Sequence, residues 1–173
     1  MGFLPVPDLM RDDIYAIEPR ALVRRGVKLI LLDVDNTLAP YTVNEPTQRM
    51  KDWVRGMKDA GLDVFILSNN KGDRPEIFAR ALGVDFIKKA RKPFTAAARA
   101  VLAGRGVKPG QAAVVGDQIY TDTLCAKALG ATAVLVRPIK FTNIFLRLRY
   151  WAEAPFRFAG IIKSKKEKKH EQH

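Results

Sequence analysis

Two carboxylates two residues apart, in Asp33-Val34-Asp35-Asn36-Thr37, sit at the end of the apolar run Lys28 to Val34. Where a strand gives way to a loop the alternating pleat is lost, so both side chains can turn toward one point. Clustered carboxylates without His or Cys make a hard-oxygen site suited to Mg²⁺, which keeps several waters and binds phosphate oxygens beside a few carboxylates. Asp117, just after the apolar run Ala112 to Val115, supplies a third carboxylate. With Ser68 and Lys92 as donors, the same cluster has the parts for covalent phosphoryl transfer. One Asp attacks phosphorus, a second protonates the leaving oxygen, and the cation and Lys neutralise the charge that develops.

The elements that must hold these residues follow from the apolar pattern. Lys28 to Val34 reads as a central strand buried on both faces of a parallel sheet. Met50, Trp53, Val54 and Met57 fall at i, i+3, i+4 and i+7, a helix that Gly61 ends. Leu62 to Leu67, Val84 to Ile87, Ala112 to Val115 and Ala133 to Val136 give four more strands, separated by helices behind Pro75, behind Pro93 and over Thr121 to Leu129. Five strands alternating with four helices predict an α/β fold with right-handed crossovers, a mainly parallel sheet covered on both faces, and ligands at the carboxyl ends of the strands. Those ends carry Asp33 and Asp35, Ser68 and Asn69, Lys92, and Asp117.

Composition narrows the options. A chain of 173 residues, 47% apolar, is sized for one domain with a real core. The single Cys125 excludes an internal disulfide and a cysteine-based zinc site and reads as a small core residue, and both histidines lie in the last four residues, which argues against a catalytic His. No stretch approaches the ~18 uninterrupted apolar residues of a membrane span, and Pro5, Pro7 and Asp8 break the N-terminal Phe3 to Val6 patch before a signal-peptide core forms. The net charge is +12, and from Arg137 onward ten Lys or Arg face three Glu, so the basic excess is largely C-terminal. Such asymmetry points to an anionic partner surface met by one end of the molecule.

In order and spacing, LDVDNTLAP, LSNNKGDR, KKARKP and GDQIYTD resemble the four motifs of the haloacid dehalogenase (HAD) superfamily over about residues 8 to 140, and are similar to its capless IIIA-type bacterial branch, which includes phosphatidylglycerophosphate phosphatases. The resemblance implies an HAD-like (Rossmannoid) three-layer sandwich. It makes Asp33 the nucleophile that forms an aspartyl-phosphate and Asp35 the general acid, then base, which also lends a backbone carbonyl to Mg²⁺. Ser68 and Asn69 hold phosphoryl oxygens, Lys92 bridges nucleophile and phosphate, Asp117 ligates the metal and Asp122 supports its water shell; the metal set is Asp33, Asp35 and Asp117. Thr37 reads as a supporting loop residue, and Arg74 and Lys71 as surface residues. The connections from Asp35 to the first helix and from the third strand to Lys92 are too short for an inserted cap domain, so an open site is expected, and capless members of the family tend to act on large or surface-bound substrates.

Beyond this phosphatase domain (1–140), residues 141–162 form an amphipathic basic and aromatic segment and 163–173 (KSKKEKKHEQH) a disordered basic tail. Phe141, Ile144, Phe145, Leu148 and Trp151 fall at helical spacing with Arg147 and Arg149 beside them. The seam either finishes the core or lies at an interface, its aromatics at the headgroup boundary and its cations on anionic lipid. All four motifs precede Arg137, so on the second reading the segment is separable from catalysis. The expected activity is Mg²⁺-dependent hydrolysis of phosphatidylglycerophosphate by a cytoplasmic protein peripheral to the inner face of the membrane. A phosphatase of nucleotides, nucleic-acid ends or soluble esters and a non-catalytic phospho-accepting switch are the alternatives. Nucleic acid is the weaker partner, since basic residues do not interleave with aromatics on any strand.

Overall fold

The computed structural model describes residues 4–140 and 150–170. Six strands, β1 (Leu9–Arg11), β2 (Leu29–Leu32), β3 (Asp63–Leu67), β4 (Asp85–Ile87), β5 (Ala112–Gly116) and β6 (Thr132–Val136), form one sheet in the order β1-β6-β5-β2-β3-β4. Every pairing is parallel. The sheet therefore has six strands, not five. β1 is only three residues long and follows two prolines, too short for any periodicity to announce it; it is held at the edge by pairing Leu9 with Val134 and by the Asp8 carboxylate, which accepts from the Ala133 amide (2.9 Å).

The helices are α1 (Pro19–Val23), α2 (Gln48–Asp59), α3 (Arg74–Leu82), α4 (Ala96–Arg105), α5 (Leu124–Leu129) and α6 (Ala154–His170), with a π-helical turn, Ile119–Thr123, leading into α5. In α2 the Thr47 hydroxyl accepts from the Met50 amide at the first turn, and Met50, Val54 and Met57 are buried on the sheet. Gly83 and Gly130 end α3 and α5 at φ of 63° and 83°, a left-handed conformation that glycine enters without a Cβ penalty.

Because side chains alternate along a strand, the central strands feed two cores. Ile30, Leu32, Val64, Ile66 and Val115 pack with Leu22, Met50, Val54, Met57 and Phe78 on one face. Leu29, Leu31, Phe65, Leu67 and Val114 pack with Val101, Leu102, Cys125 and Leu129 on the other. The result is the expected three-layer sandwich. β2 is flanked by β5 on one side and β3 on the other, so the chain's direction of progress across the sheet reverses at β2/β5, the place where a parallel sheet opens a crevice at its carboxyl edge.

The C-terminal segment departs from expectation. Phe141, Ile144, Phe145, Arg147, Leu148 and Arg149 lie outside the described residues. The stretch from Lys163, expected to be a disordered tail, continues α6 to His170, in keeping with the helix propensity of Lys and Glu. Lys163 also donates to Asp8 (2.6 Å), which ties this helix to the start of β1.

Candidate active site

The Leu32–Val115 register sets the ends of β2 and β5 side by side, and the Asp33 amide donates to the Val115 carbonyl (2.9 Å). Asp33 and Asp117 thus leave neighbouring strands one residue apart in register. After β3, the Ser68 amide donates to Ile87 at the end of β4, and Ala90 donates back to Ser68. This ties the loop after β3 to the loop that delivers Lys92. Lys89 and Arg91 both have φ near +60°, and that path takes Lys92 inward while Arg91 stays exposed.

Lys92 is the hub. Its ammonium donates to Asp33 Oδ1 (2.8 Å) and Asp122 Oδ1 (2.7 Å), and all three side chains are buried. Burial works against the charged ammonium, but the charges of Asp122 and Asp33 outweigh it and hold its pKa above the ordinary lysine value. Burial raises the Asp33 carboxyl to about 6; Lys92 opposes that shift, and the charges of Asp122 and Asp35 add to it. A cluster so strained electrostatically needs further positive charge to keep its carboxylates ionised.

Asp33, Asp117 and Asp122 each place a carboxylate oxygen within 4.8 Å of the others. An all-oxygen, all-anionic donor set without a nitrogen or sulfur ligand fits a hard divalent cation such as Mg²⁺. Asp122, expected to support the metal's water shell, stands in the carboxylate group itself. The Asp35 carboxylate is engaged instead by Asn70 Nδ2 (2.7 Å) and lies 2.8 Å from Arg74 Nε, a contact out of line for a hydrogen bond and therefore ionic. Asp122 reaches the cluster across Gly116, where a Cβ would collide with its side chain. The Thr37 hydroxyl donates to Asp117 Oδ1 (3.2 Å) and orients it.

The structure thus brings Asp33, Asp35, Ser68, Asn69, Lys92 and Asp122 to the wall of one open cleft of about 230 Å³, with Asp117 and Thr37 behind it. Ser68 is buried there, and its hydroxyl accepts from the Asn70 amide (3.1 Å). The Asn69 amide is paired with the Lys92 backbone in both directions, accepting from its N–H (2.7 Å) and donating to its carbonyl (2.9 Å). In this geometry Asn69 locks the Lys92 loop rather than offering its amide oxygen to the cleft.

Several residues escaped the sequence reading. Arg74, expected on the surface, is largely buried and donates to Pro40 (2.7 Å) and Val43, binding the loop after Asp35 to the start of α3. Tyr41, Gln118 and Thr121 complete the cleft. Asn36, at φ 64°, exchanges two hydrogen bonds with the Lys140 backbone (2.8 and 2.9 Å) and fixes the exit from β6. Glu153 and Arg157 are buried far along the chain from every motif; their i, i+4 spacing was a signal, but an i, i+4 Glu and Arg pair ordinarily marks an exposed helix face.

Over residues 89–142 the chain matches a HAD-hydrolase-like family model. It is 34% identical over 160 residues to the probable phosphatase YqeG of Bacillus subtilis, covering 92% of both chains. The chain belongs to the HAD phosphatases. This HAD phosphatase is also 28% identical over 145 residues to the chloroplastic phosphatidylglycerophosphate phosphatase 1 of Chlamydomonas reinhardtii, covering 79% of this chain and 54% of that protein. In fold it resembles the cobalt-bound deoxy-D-mannose-octulosonate 8-phosphate phosphatase of Haemophilus influenzae, with a TM-score of 0.54, 20% identity, and 72% of this chain and 75% of that one covered.

Proposed function

We propose that this HAD phosphatase is a Mg²⁺-dependent phosphomonoesterase working through an aspartyl-phosphate at Asp33, and that it converts phosphatidylglycerophosphate to phosphatidylglycerol at the inner face of the cytoplasmic membrane. Asp33 attacks phosphorus, with Lys92 2.8 Å from its carboxylate to steady the charge passing from nucleophile to phosphoryl oxygens. Asp35 gives a proton to the departing lipid oxygen and then takes one from the water that hydrolyses the acyl phosphate. Asn70 and Arg74 hold its carboxylate in place for both steps. Ser68 faces the phosphoryl oxygens. Asp33, Asp117 and Asp122 would hold Mg²⁺, with Asp35 lending its backbone carbonyl; when bound, the cation supplies neutralising charge on the phosphoryl oxygens.

The observation that carries the lipid substrate is the outer face of the C-terminal helix. Trp151 and Phe158 are 75% and 66% exposed, and Ile161 and Ile162 stand beside them in solvent. Five lysines follow in sequence between residues 163 and 169, so apolar and basic residues share the last part of the chain. An anionic bilayer satisfies both: aromatics enter the headgroup boundary, and each Lys or Arg near the surface contributes roughly 1 kcal/mol. No helix among the described residues is long and apolar enough to cross a membrane, so the contact proposed is peripheral. The similarity to the algal phosphatidylglycerophosphate phosphatase supports the same headgroup.

The test is a turnover comparison of phosphatidylglycerophosphate in anionic vesicles with nucleotides, oligonucleotide ends and a soluble sugar phosphate. The reading expects the lipid to be preferred by at least tenfold in kcat/KM, with the advantage lost on removing anionic lipid. Equal or better turnover of a soluble ester would overturn it.

A further inference from the structure

The face of the C-terminal helix turned toward the domain is built from charge. Along this segment Glu153, Arg157 and Gly160 are buried, at i, i+4 and i+7, while Trp151, Phe158, Ile161 and Ile162 face solvent. Gly160 lets the helix lie directly on the N-terminal segment: a Cβ there would come within 2.6 Å of Pro7 and 2.8 Å of Met10. Glu153 and Arg157 then meet the loop that leaves β5 at the cleft.

Their contacts are specific to that loop. Glu153 Oε1 accepts from the backbone N–H groups of Ile119 (3.0 Å) and Tyr120 (3.4 Å), the first of the π-helical turn, which have no carbonyl before them in the turn. Glu153 Oε2 accepts from Arg157 Nη2 (2.7 Å), and the same nitrogen donates to the Asp117 backbone carbonyl (2.9 Å). The guanidinium lies over the Tyr150 ring, 4.1 Å from its centroid, and Tyr120 meets Phe156 edge-on. Both ends of the short path from Asp117 to Tyr120 are thus pinned from outside the sheet. On the inner side, Thr37 holds the Asp117 carboxylate, and Gln118 donates to Asp122. The backbone of the loop that carries Asp117 and leads to Asp122 is therefore held by a residue pair that none of the four motifs contains.

We propose that Glu153 and Arg157 are positioning residues for the metal side of the site, so that the C-terminal helix is part of the catalytic unit. The inference rests on the reading of Asp117 and Asp122 as metal ligands. Groups that orient ligands from behind ordinarily change metal affinity by roughly 10- to 100-fold when removed, which sets the size of the effect expected here.

The experiment uses the full chain and its Arg157→Gln, Arg157→Lys and Glu153→Gln variants. Mg²⁺ affinity is measured by calorimetry without substrate, well below each variant's melting temperature, alongside the melt itself. The proposal expects Arg157→Gln and Glu153→Gln to bind Mg²⁺ at least tenfold more weakly while still folded. Arg157→Lys, which keeps a charge for Glu153 but not the planar fork, should recover part of the loss. Lower melting temperatures with wild-type Mg²⁺ affinity would overturn the proposal, because the pair would then serve stability alone. Should Arg157→Gln fail to fold, Arg157→Lys and Glu153→Gln decide by the same criterion. If the wild-type chain binds no Mg²⁺, the reading of the acidic cluster itself fails and this inference with it, an outcome distinct from wild-type binding that the variants leave unchanged.

Discussion

At the carboxyl edge of the sheet, buried charges face a cleft with apolar layers behind them; on the C-terminal helix, buried charges face the domain and the apolar residues face out. Lys92 pairs with both Asp33 and Asp122 at 2.7 to 2.8 Å, which leaves the buried group one positive charge short. Glu153 and Arg157 are equally buried, yet the segment that carries them leaves Trp151 and Phe158 in solvent. A helix that only completed a core would do the reverse. The edge is thus built to react, and the helix to hold the edge on one side and, on the function proposed above, to meet an anionic surface on the other.

Breaking the edge should have the largest effect. Asp35→Asn should lower turnover by ~10² to 10⁴, because a proton must be given to the leaving oxygen and then taken from water, while the fold survives, as steady-state rates and a thermal melt will show. Lys92→Ala should cost both activity and fold: it leaves Asp33 and Asp122 buried without their cation, and breaking a buried ion pair costs about 3–5 kcal/mol. Chemical denaturation with and without Mg²⁺ checks this, and added Mg²⁺ should restore part of the stability.

The helix gives a sharper contrast. The double change Trp151→Ser and Phe158→Ser should reduce turnover of a lipid phosphate in anionic vesicles by about tenfold and leave a soluble ester within about twofold of wild type. Deleting residues 141–173 should instead impair both substrates, since it removes the contacts to Asp117, Ile119 and Tyr120. Vesicle binding by the intact chain should weaken with salt, the Debye length falling from about 10 Å at 0.1 M to about 3 Å at 1 M.

A smaller effect is set by pH. The Asp33 carboxyl titrates at about 6 instead of 3.8, so between those values the folded, metal-free protein holds a proton that the unfolded chain has released. Its contribution to stability is therefore present below pH 3.8 and lost as pH rises to about 6. Mg²⁺ must displace that proton, and its apparent affinity should fall by up to about tenfold per pH unit below 6. Melting curves and Mg²⁺ titrations between pH 4.5 and 7.5, a window chosen to span the shift, read both.

Much of the edge was legible because Asp33, Asp35, Ser68 and Asp117 follow apolar runs, and such runs fix both the strand and the place where it stops. Lys92 follows only the three-residue β4 and was legible from the KKARKP motif instead. β1 was hidden because three residues carry no period and its stability comes from β6, more than a hundred residues away, to which it is paired and to which the adjoining Asp8 is hydrogen-bonded. The detail of the site was hidden for a related reason. Asp122 joins the carboxylate group through the bareness of Gly116, and Asn69 turns to the Lys92 backbone; both are facts of packing. The part of Glu153 and Arg157 depends on where a distant helix docks, which local sequence does not encode.

Covalent catalysis at Asp33 is tested by quenching turnover with acid, reducing the acyl phosphate with borohydride and locating the modified residue by mass spectrometry. The reduced side chain is expected at Asp33 in the wild-type chain with Mg²⁺ and phosphatidylglycerophosphate, and neither label nor turnover in Asp33→Asn. A label on another carboxylate, or near-normal turnover by Asp33→Asn, would contradict it.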